Sequence, residues 1–282
     1  MGTYKFGFQK EWYHFSRTFR FGGVLIALFS VAIVNPLMIK AMLSMLDVLS
    51  ASPTEMMSNQ VMPDLGLGEL VSEYTSGIVF GAALSDLCNT ALLVILLVLM
   101  SPFGGEQKKR ATLIPSCSGL DNQYYLIPKF VLYPSVLFVT TFASGILAGL
   151  ICNAMFADPI GFGEILVGSV LCAIYLTFIM VIYMSLGLCT SRPGIMTIVI
   201  YFGHNLIQAI LVAMGLERFN PFTLYSVFSY QMYEEEFSLS AEAASIIVGI
   251  VLSVVIAVMM YFLTLAVLKN KRINNQEDKP EF

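Results

Sequence analysis

Few side chains in this sequence can do chemistry, and they fall into three groups. Asp86 stands alone in a long apolar run, with no cation near it in sequence. A carboxylate at membrane depth costs several kcal/mol, so it lines an aqueous path or meets a hydrogen-bonding partner, and both roles are open. His204 and Asn205 precede Gln208 by four and three residues, which puts all three on one side of a helix. That side is either interhelical packing glue or a polar patch on a substrate pathway. The third group lies between Gly104 and Phe130. Glu106 is followed by Lys108, Lys109, Arg110 and Thr112. Gly104 and Gly105 permit a sharp break, and an anion followed within about a turn by cations suits a helix N-terminus. Pro115 and Gly119 end any helix begun there. The stretch is a short basic helix held parallel to a membrane, or else an ordinary basic loop on the positive side.

Other chemistries lack their motifs. The sequence has no G-x-x-x-x-G-K-[ST] run to cradle a nucleotide phosphate, no H-E-x-x-H pair for zinc and no G-x-S-x-G elbow. The two histidines and the outer-loop Glu234 and Glu235 do not make an intramembrane protease. The five cysteines are scattered without metal or disulfide spacing, and read as small buried hydrophobes. No catalytic, metal or cofactor-binding residue is expected on this chain, and it is not expected to be an enzyme.

The elements that must position these groups follow from hydropathy. The 282 residues are 57% hydrophobic and 12% charged, against about 25% charged in a soluble domain. Six apolar segments are each long enough to cross a bilayer. They lie at about 22–45, 74–103, 130–156, 165–189, 195–216 and 243–268. Pro36 should kink the first, and Lys40 near its far end can reach outward to water. Ahead of them, residues 4–20 form an amphipathic helix. Phe8, Trp12, Phe15 and Phe19 share one face, with Lys10, His14 and Arg17 opposite. That face should dip into the membrane interface. Thirteen of the fifteen Lys and Arg residues, all but Lys40 and Arg218, then fall on one side, so both termini are expected to be cytoplasmic. No cleavable signal peptide is expected. The expected fold is all-α: one polytopic domain over 1–282 with six transmembrane helices and an N-terminal interfacial helix. Its cytoplasmic tail is 269–282, and 217–242 is an outer segment rich in Phe and Tyr. Gly145 and Gly149 make a small-x-x-x-small pair in the third span.

The order of these parts resembles the type-2 ATP-binding-cassette (ABC) transporter permeases. The matching residues are Lys10-Glu11-Trp12 through Arg20 at the entry, Gly105-Glu106 with Lys108 to Thr112, and Ile127-Pro128-Lys129-Phe130. Asn220-Pro221-Phe222 and Lys269-Asn270-Lys271-Arg272 fit more loosely. The chain departs from the pattern at Ile114-Pro115-Ser116-Cys117-Ser118-Gly119, which makes the loop longer and more broken than a plain coupling helix. The resemblance implies that 104–130 is a coupling loop, in which Glu106, Lys108, Lys109, Arg110 and Thr112 meet a separate ATPase. It implies two ATPase subunits carrying ATP and Mg, a second permease copy or homologue, a bacterial cytoplasmic membrane, and export of an amphiphile such as a peptide, drug or lipid. Membrane lipids are expected partners and nucleic acid is not. Asp86, His204, Asn205 and Gln208 would lie on the substrate pathway. The alternatives are an ion-coupled carrier using Asp86, and a membrane immunity or scaffold protein that does not transport.

The charge asymmetry sets a topology test. Single cysteines at Ser58 and Ser238 should react with an impermeant maleimide on intact cells, and one at Ser118 only after permeabilisation. The reverse pattern would overturn the orientation.

Overall fold

The computed structural model describes residues 2–51, 74–100, 122–190, 192–215, 221–224 and 239–277. The basic stretch that holds Glu106, Lys108, Lys109, Arg110 and Thr112 lies outside these residues, as does most of 217–242. The described residues contain only helices and turns, and six helices are long and apolar enough to cross a membrane. In chain order, α1 is Gly2–Arg17 and α2 is Arg20–Ala51. The second span is built from α3 (Ser76–Asp86), a π-helical turn over Leu87–Ala91, and α4 (Leu92–Val98). Then come α5 (Asn122–Met155), α6 (Phe162–Cys189), α7 (Pro193–Ala213), a 3-10 turn at Pro221–Thr223 and α8 (Leu239–Glu277).

The six expected spans are all present, with shifted ends. The third differs most. Its helix starts at Asn122, so Pro128 and Lys129 sit inside α5 rather than at its head. The helix also continues through Pro134, as α2 continues through Pro36. Proline removes one backbone donor and crowds the preceding turn, but length and burial on both sides hold such a helix together in lipid.

Helix α6 is the centre of the bundle. Tyr175, Leu176, Met180, Tyr183 and Met184 are all buried, and α6 packs most extensively on α5. The approach is close because of the two glycines the sequence singled out. A Cβ at Gly145 would fall 2.7 Å from Ser169 Oγ and 3.1 Å from Ser169 Cα, and one at Gly149 would fall 2.6 Å from Ile165 Cγ2. Without a hydrophobic driving force between helices in lipid, such backbone proximity and the dispersion contacts it permits supply much of the adhesion.

At the end of this pair, Asn153 closes the short connection to α6. Its Nδ2 donates to Ile160 O and its Oδ1 accepts from Ile160 N, both at 2.9 Å. The same connection holds the start of α3. Ser76 N donates to Ala157 O at 3.1 Å, and the Ser76 hydroxyl donates to the Asp158 carbonyl. Asp158 adopts φ 54°, a left-handed conformation that Asp tolerates better than most residues. At the other end, Tyr183 joins three spans. Its hydroxyl donates to Leu96 O at 3.0 Å and accepts from Thr197 Oγ1 at 2.9 Å. A carbonyl can only accept, so the tyrosine proton is committed there and the threonine must donate.

Helices α7 and α8 flank this core and turn apolar faces outward. Ile198, Phe202 and Leu206 on α7 are exposed, as are Val251, Val255 and Phe262 on α8. Lipid covers such faces at no cost. The 3-10 turn after α7 reaches back to the core, with the Phe222 ring 5.2 Å from that of Phe178 and Leu224 buried.

The glycine contact generates a stability prediction. Gly149→Ala should cost about 1–3 kcal/mol through overpacking. It should lower the detergent-solubilised protein's thermal midpoint, and Ile165→Ala in the same chain should recover part of the loss. Unchanged stability in Gly149→Ala would refute the close packing.

Candidate functional site

Two charged sites among apolar helices stand out, one buried and one half-buried. The first joins the N-terminal helix to the third span. Lys129 is fully buried, and its Nζ lies 3.0 Å from Glu11 Oε2, itself 3% exposed. Tyr133 donates to the same oxygen at 3.4 Å. The ammonium also lies 5.0 Å from the centre of the Tyr125 ring and 5.9 Å from that of Tyr133. An ammonium stripped of water gains from the negative faces of such rings. Phe15, buried beside the pair, meets the Tyr133 ring edge-on at 5.0 Å. The backbones are close, since a Cβ at Gly7 would fall 2.9 Å from Pro128 Cγ.

This contact corrects the expected orientation of α1. The buried face carries Glu11 and Phe15, whereas Trp12 is 46% and Phe19 74% exposed. The aromatic stripe is therefore split. Placing Glu11 against Lys129 turns the helix so that the carboxylate, rather than the middle of the stripe, faces the bundle. Phe19 lies past the end of α1 with φ 55°. Lys10 and Arg17 lie over Tyr125 and Tyr13 at 6.0 and 5.8 Å. The exposed Trp12 remains available to the membrane interface.

The second group is Asp86, the last residue of α3, half-way along its span and directly before the π-helical turn. A π turn inserts one residue into a helix, re-aims the side chains around it and is frequent at functional sites. Asn89, inside the turn, donates from Nδ2 to Ser85 O at 3.0 Å. Asp86 is met by Asn35 of α2, whose Nδ2 donates to Asp86 Oδ2. Asn35 stands one residue before Pro36 and is 8% exposed, and its Oδ1 is buried without a hydrogen-bond partner among the described residues. The two side chains line a groove of about 290 Å³ together with Ser30, Val34 and Met38 of α2 and Thr90 of the π turn. Val34 and Met38 are 52% and 64% exposed, so the groove opens sideways from the bundle. Among the described residues no lysine or arginine nitrogen lies within 4.0 Å of Asp86. Lys40, the nearest cation along α2, lies over the Phe156 ring at 5.3 Å and reaches outward as expected.

In the fifth span, His204 and Asn205 bond back to their own helix. His204 is buried and its Nδ1 bonds Ile200 O at 3.0 Å, so that nitrogen carries the proton. Its ring lies 6.4 Å from Tyr175 of α6 and 5.7 Å from Tyr201, and its Nε2 has no hydrogen-bond partner among the described residues. Asn205 donates back to Tyr201 O at 2.8 Å, and Gln208 is half-buried one turn on. His204 and Asn205 thus satisfy their own helix, while Asp86 is engaged by α2. No hydrogen bond joins Asp86 to His204 or Asn205 among the described residues.

Two groups escaped the sequence reading. Glu11 and Lys129 are 118 residues apart, and Asn35 and Asp86 are 51 apart. The one usable signal was that a buried charge requires a partner. Of the cysteines, Cys88, Cys152 and Cys172 are buried thiols as expected, with Cys88 Sγ 3.3 Å from Cys172 Sγ; Cys189 is half-buried, and Cys117 lies outside the described residues. No family model, curated protein or solved structure matches the chain.

The ion pair is open to a double-mutant test. Glu11→Leu or Lys129→Met alone strands one buried charge and should cost about 3–5 kcal/mol. The double variant should recover most of that loss in a thermal-unfolding assay. Additive losses would show that the two charges do not interact.

Proposed function

We propose that this chain is the membrane subunit of an ABC-type exporter. It works with a second permease copy and two separate ATPase subunits, which hold ATP and Mg, and it moves an amphiphile out across a bacterial cytoplasmic membrane. The observation that carries this reading is the buried Glu11–Lys129 pair. Helix α5 emerges from the basic stretch 104–121, and the pair lies two turns into that helix. Displacement of the stretch by an ATPase therefore loads α1 and α5 together. Helix α5 in turn is held on α6 through Gly145 and Gly149, so the motion is delivered to the centre of the bundle as a rigid-body shift. Glu106, Lys108, Lys109, Arg110 and Thr112 are the proposed contact residues, and both termini are placed on the ATPase side.

A second reading is an ion-coupled carrier, favoured by the absence, among the described residues, of a lysine or arginine nitrogen within 4.0 Å of Asp86. It requires transport that depends on an ion gradient and persists without any ATPase.

Co-purification tests the first reading. Tagged chain extracted from its own host should carry an ATPase in equal numbers, two of each per complex. Glu106→Gln should weaken that association about two- to fivefold, the equivalent of roughly 0.3–1 kcal/mol for a charge at an exposed helix N-terminus. Replacing Glu106 through Arg110 by alanine should abolish it at matched expression. An ATPase-free preparation that still transports, or wild-type association in the alanine variant, would contradict the proposal.

A further inference from the structure

The groove beside Asp86 has a chemical bias that its size and shape alone do not convey. Its polar lining carries one formal charge among the described residues, the Asp86 carboxylate. The Asp86 carboxylate offers about four lone-pair sites, and Asn35 donates to one of its oxygens. The amide orientation follows from that contact, because the NH₂ must face the carboxylate, and it leaves Asn35 Oδ1 as a buried acceptor without a hydrogen-bond partner among the described residues. Ser30 also lines the groove, and its hydroxyl proton is committed to Ala27 O at 3.1 Å, which leaves its oxygen as an acceptor. Thr90 adds one neutral hydroxyl, which can donate or accept, and the remaining walls are the apolar side chains of Val31, Val34 and Met38.

The carboxylate repels anions, and the neutral polar groups beside it do not balance its charge. It calls for a donor carrying positive charge. Among the described residues the protein supplies none within 4.0 Å of Asp86. An ionised carboxylate half-way along a span is costly unless a counter-charge arrives. The opening faces sideways past Val34 and Met38, toward the region that lipid tails occupy. The volume of about 290 Å³ accommodates about ten water-sized groups at ~30 Å³ each, enough for a polar head and the first methylenes of a chain.

We infer that the α2–α3 groove binds the cationic head of a membrane-partitioned amphiphile, an ammonium or guanidinium that pairs with Asp86 while its apolar body lies along Val34 and Met38. Asp86 accepts the charged donor, and Asn35 holds the carboxylate in place. The π turn after Asp86 fixes the direction in which the carboxylate points. The inference gives the substrate class for the exporter reading and rests on that reading for calling the ligand a substrate. Binding itself needs no ATPase.

The test uses the full chain in nanodiscs of zwitterionic lipid at neutral pH, where an alkylamine is protonated. The probes are an alkylamine with a fluorescent tag at the far end of its chain, and the alcohol of the same length and tag. Wild-type protein should bind the amine about tenfold or more tighter than the alcohol, the scale of one charge-assisted hydrogen bond. Asp86→Asn keeps the shape of the side chain and should erase the preference while leaving alcohol binding unchanged. Val34→Trp fills the groove and should weaken both ligands. No amine preference in the wild type, or one that survives in Asp86→Asn, overturns the inference. Equal loss of both ligands in Asp86→Asn also overturns it, by assigning Asp86 a structural role. ATPase association is read separately, so failure here leaves the exporter reading standing, and the converse holds.

Discussion

A lysine ammonium cannot be buried alone, and the architecture at one end of this bundle follows from that constraint. Lys129 has no exposure to solvent and sits inside a helix rather than at its fraying end. The desolvation cost of such a group is several kcal/mol, and it is offset only by a close counter-charge with its remaining donors engaged. Glu11 is the counter-charge, and Tyr125 and Tyr133 present their ring faces. To bring Glu11 there, the first helix must lie against α5. The chain then turns at Phe19 and enters the bundle as α2. One ion pair thereby decides where the amino-terminal segment lies and which of its faces stays outside.

The second carboxylate within the bundle is handled in the opposite way. Asp86 receives an amide donor from Asn35 and no cation among the described residues, and its surroundings open sideways. Glu11 is enclosed and neutralised, whereas Asp86 is half-exposed and incompletely paired. A structural carboxylate gains from enclosure, while a binding carboxylate must keep part of its coordination open. The contrast fits anchoring for one and, on the inference drawn above, ligand contact for the other. The π turn belongs to the second role, since it interrupts a span where regular helix would pack more evenly.

Much of the fold was legible in the sequence because lipid imposes a simple rule. Backbone groups in a bilayer must bond within their own segment, so long apolar runs become helices. All six did. Gly145 and Gly149 were also legible as a close-contact pair, although the partner helix was not. What escaped was long-range. The stripe Phe8, Trp12, Phe15 and Phe19 is a sound helical pattern, but periodicity weighs apolar area and cannot see a charge pair formed with a residue 118 positions away. His204, Asn205 and Gln208 have the spacing of a shared side; His204 Nδ1 and Asn205 Nδ2 bond back to their own backbone, while His204 Nε2 is buried without a hydrogen-bond partner among the described residues. Asp86 stood out from composition alone, whereas nothing in the sequence marked Asn35 as its partner.

The central claim is that the Glu11–Lys129 pair anchors the first helix to the third span. Hydrogen–deuterium exchange on the reconstituted protein reads that anchoring directly. In the wild type, amides of α1 around Glu11 and Phe15 should exchange slowly, near the rate of the adjoining part of α5. In Lys129→Met, α1 should lose its protection by an order of magnitude or more, while α6 keeps its own. Unchanged protection of α1 in that variant would contradict the account and leave the helix held by its apolar contacts alone.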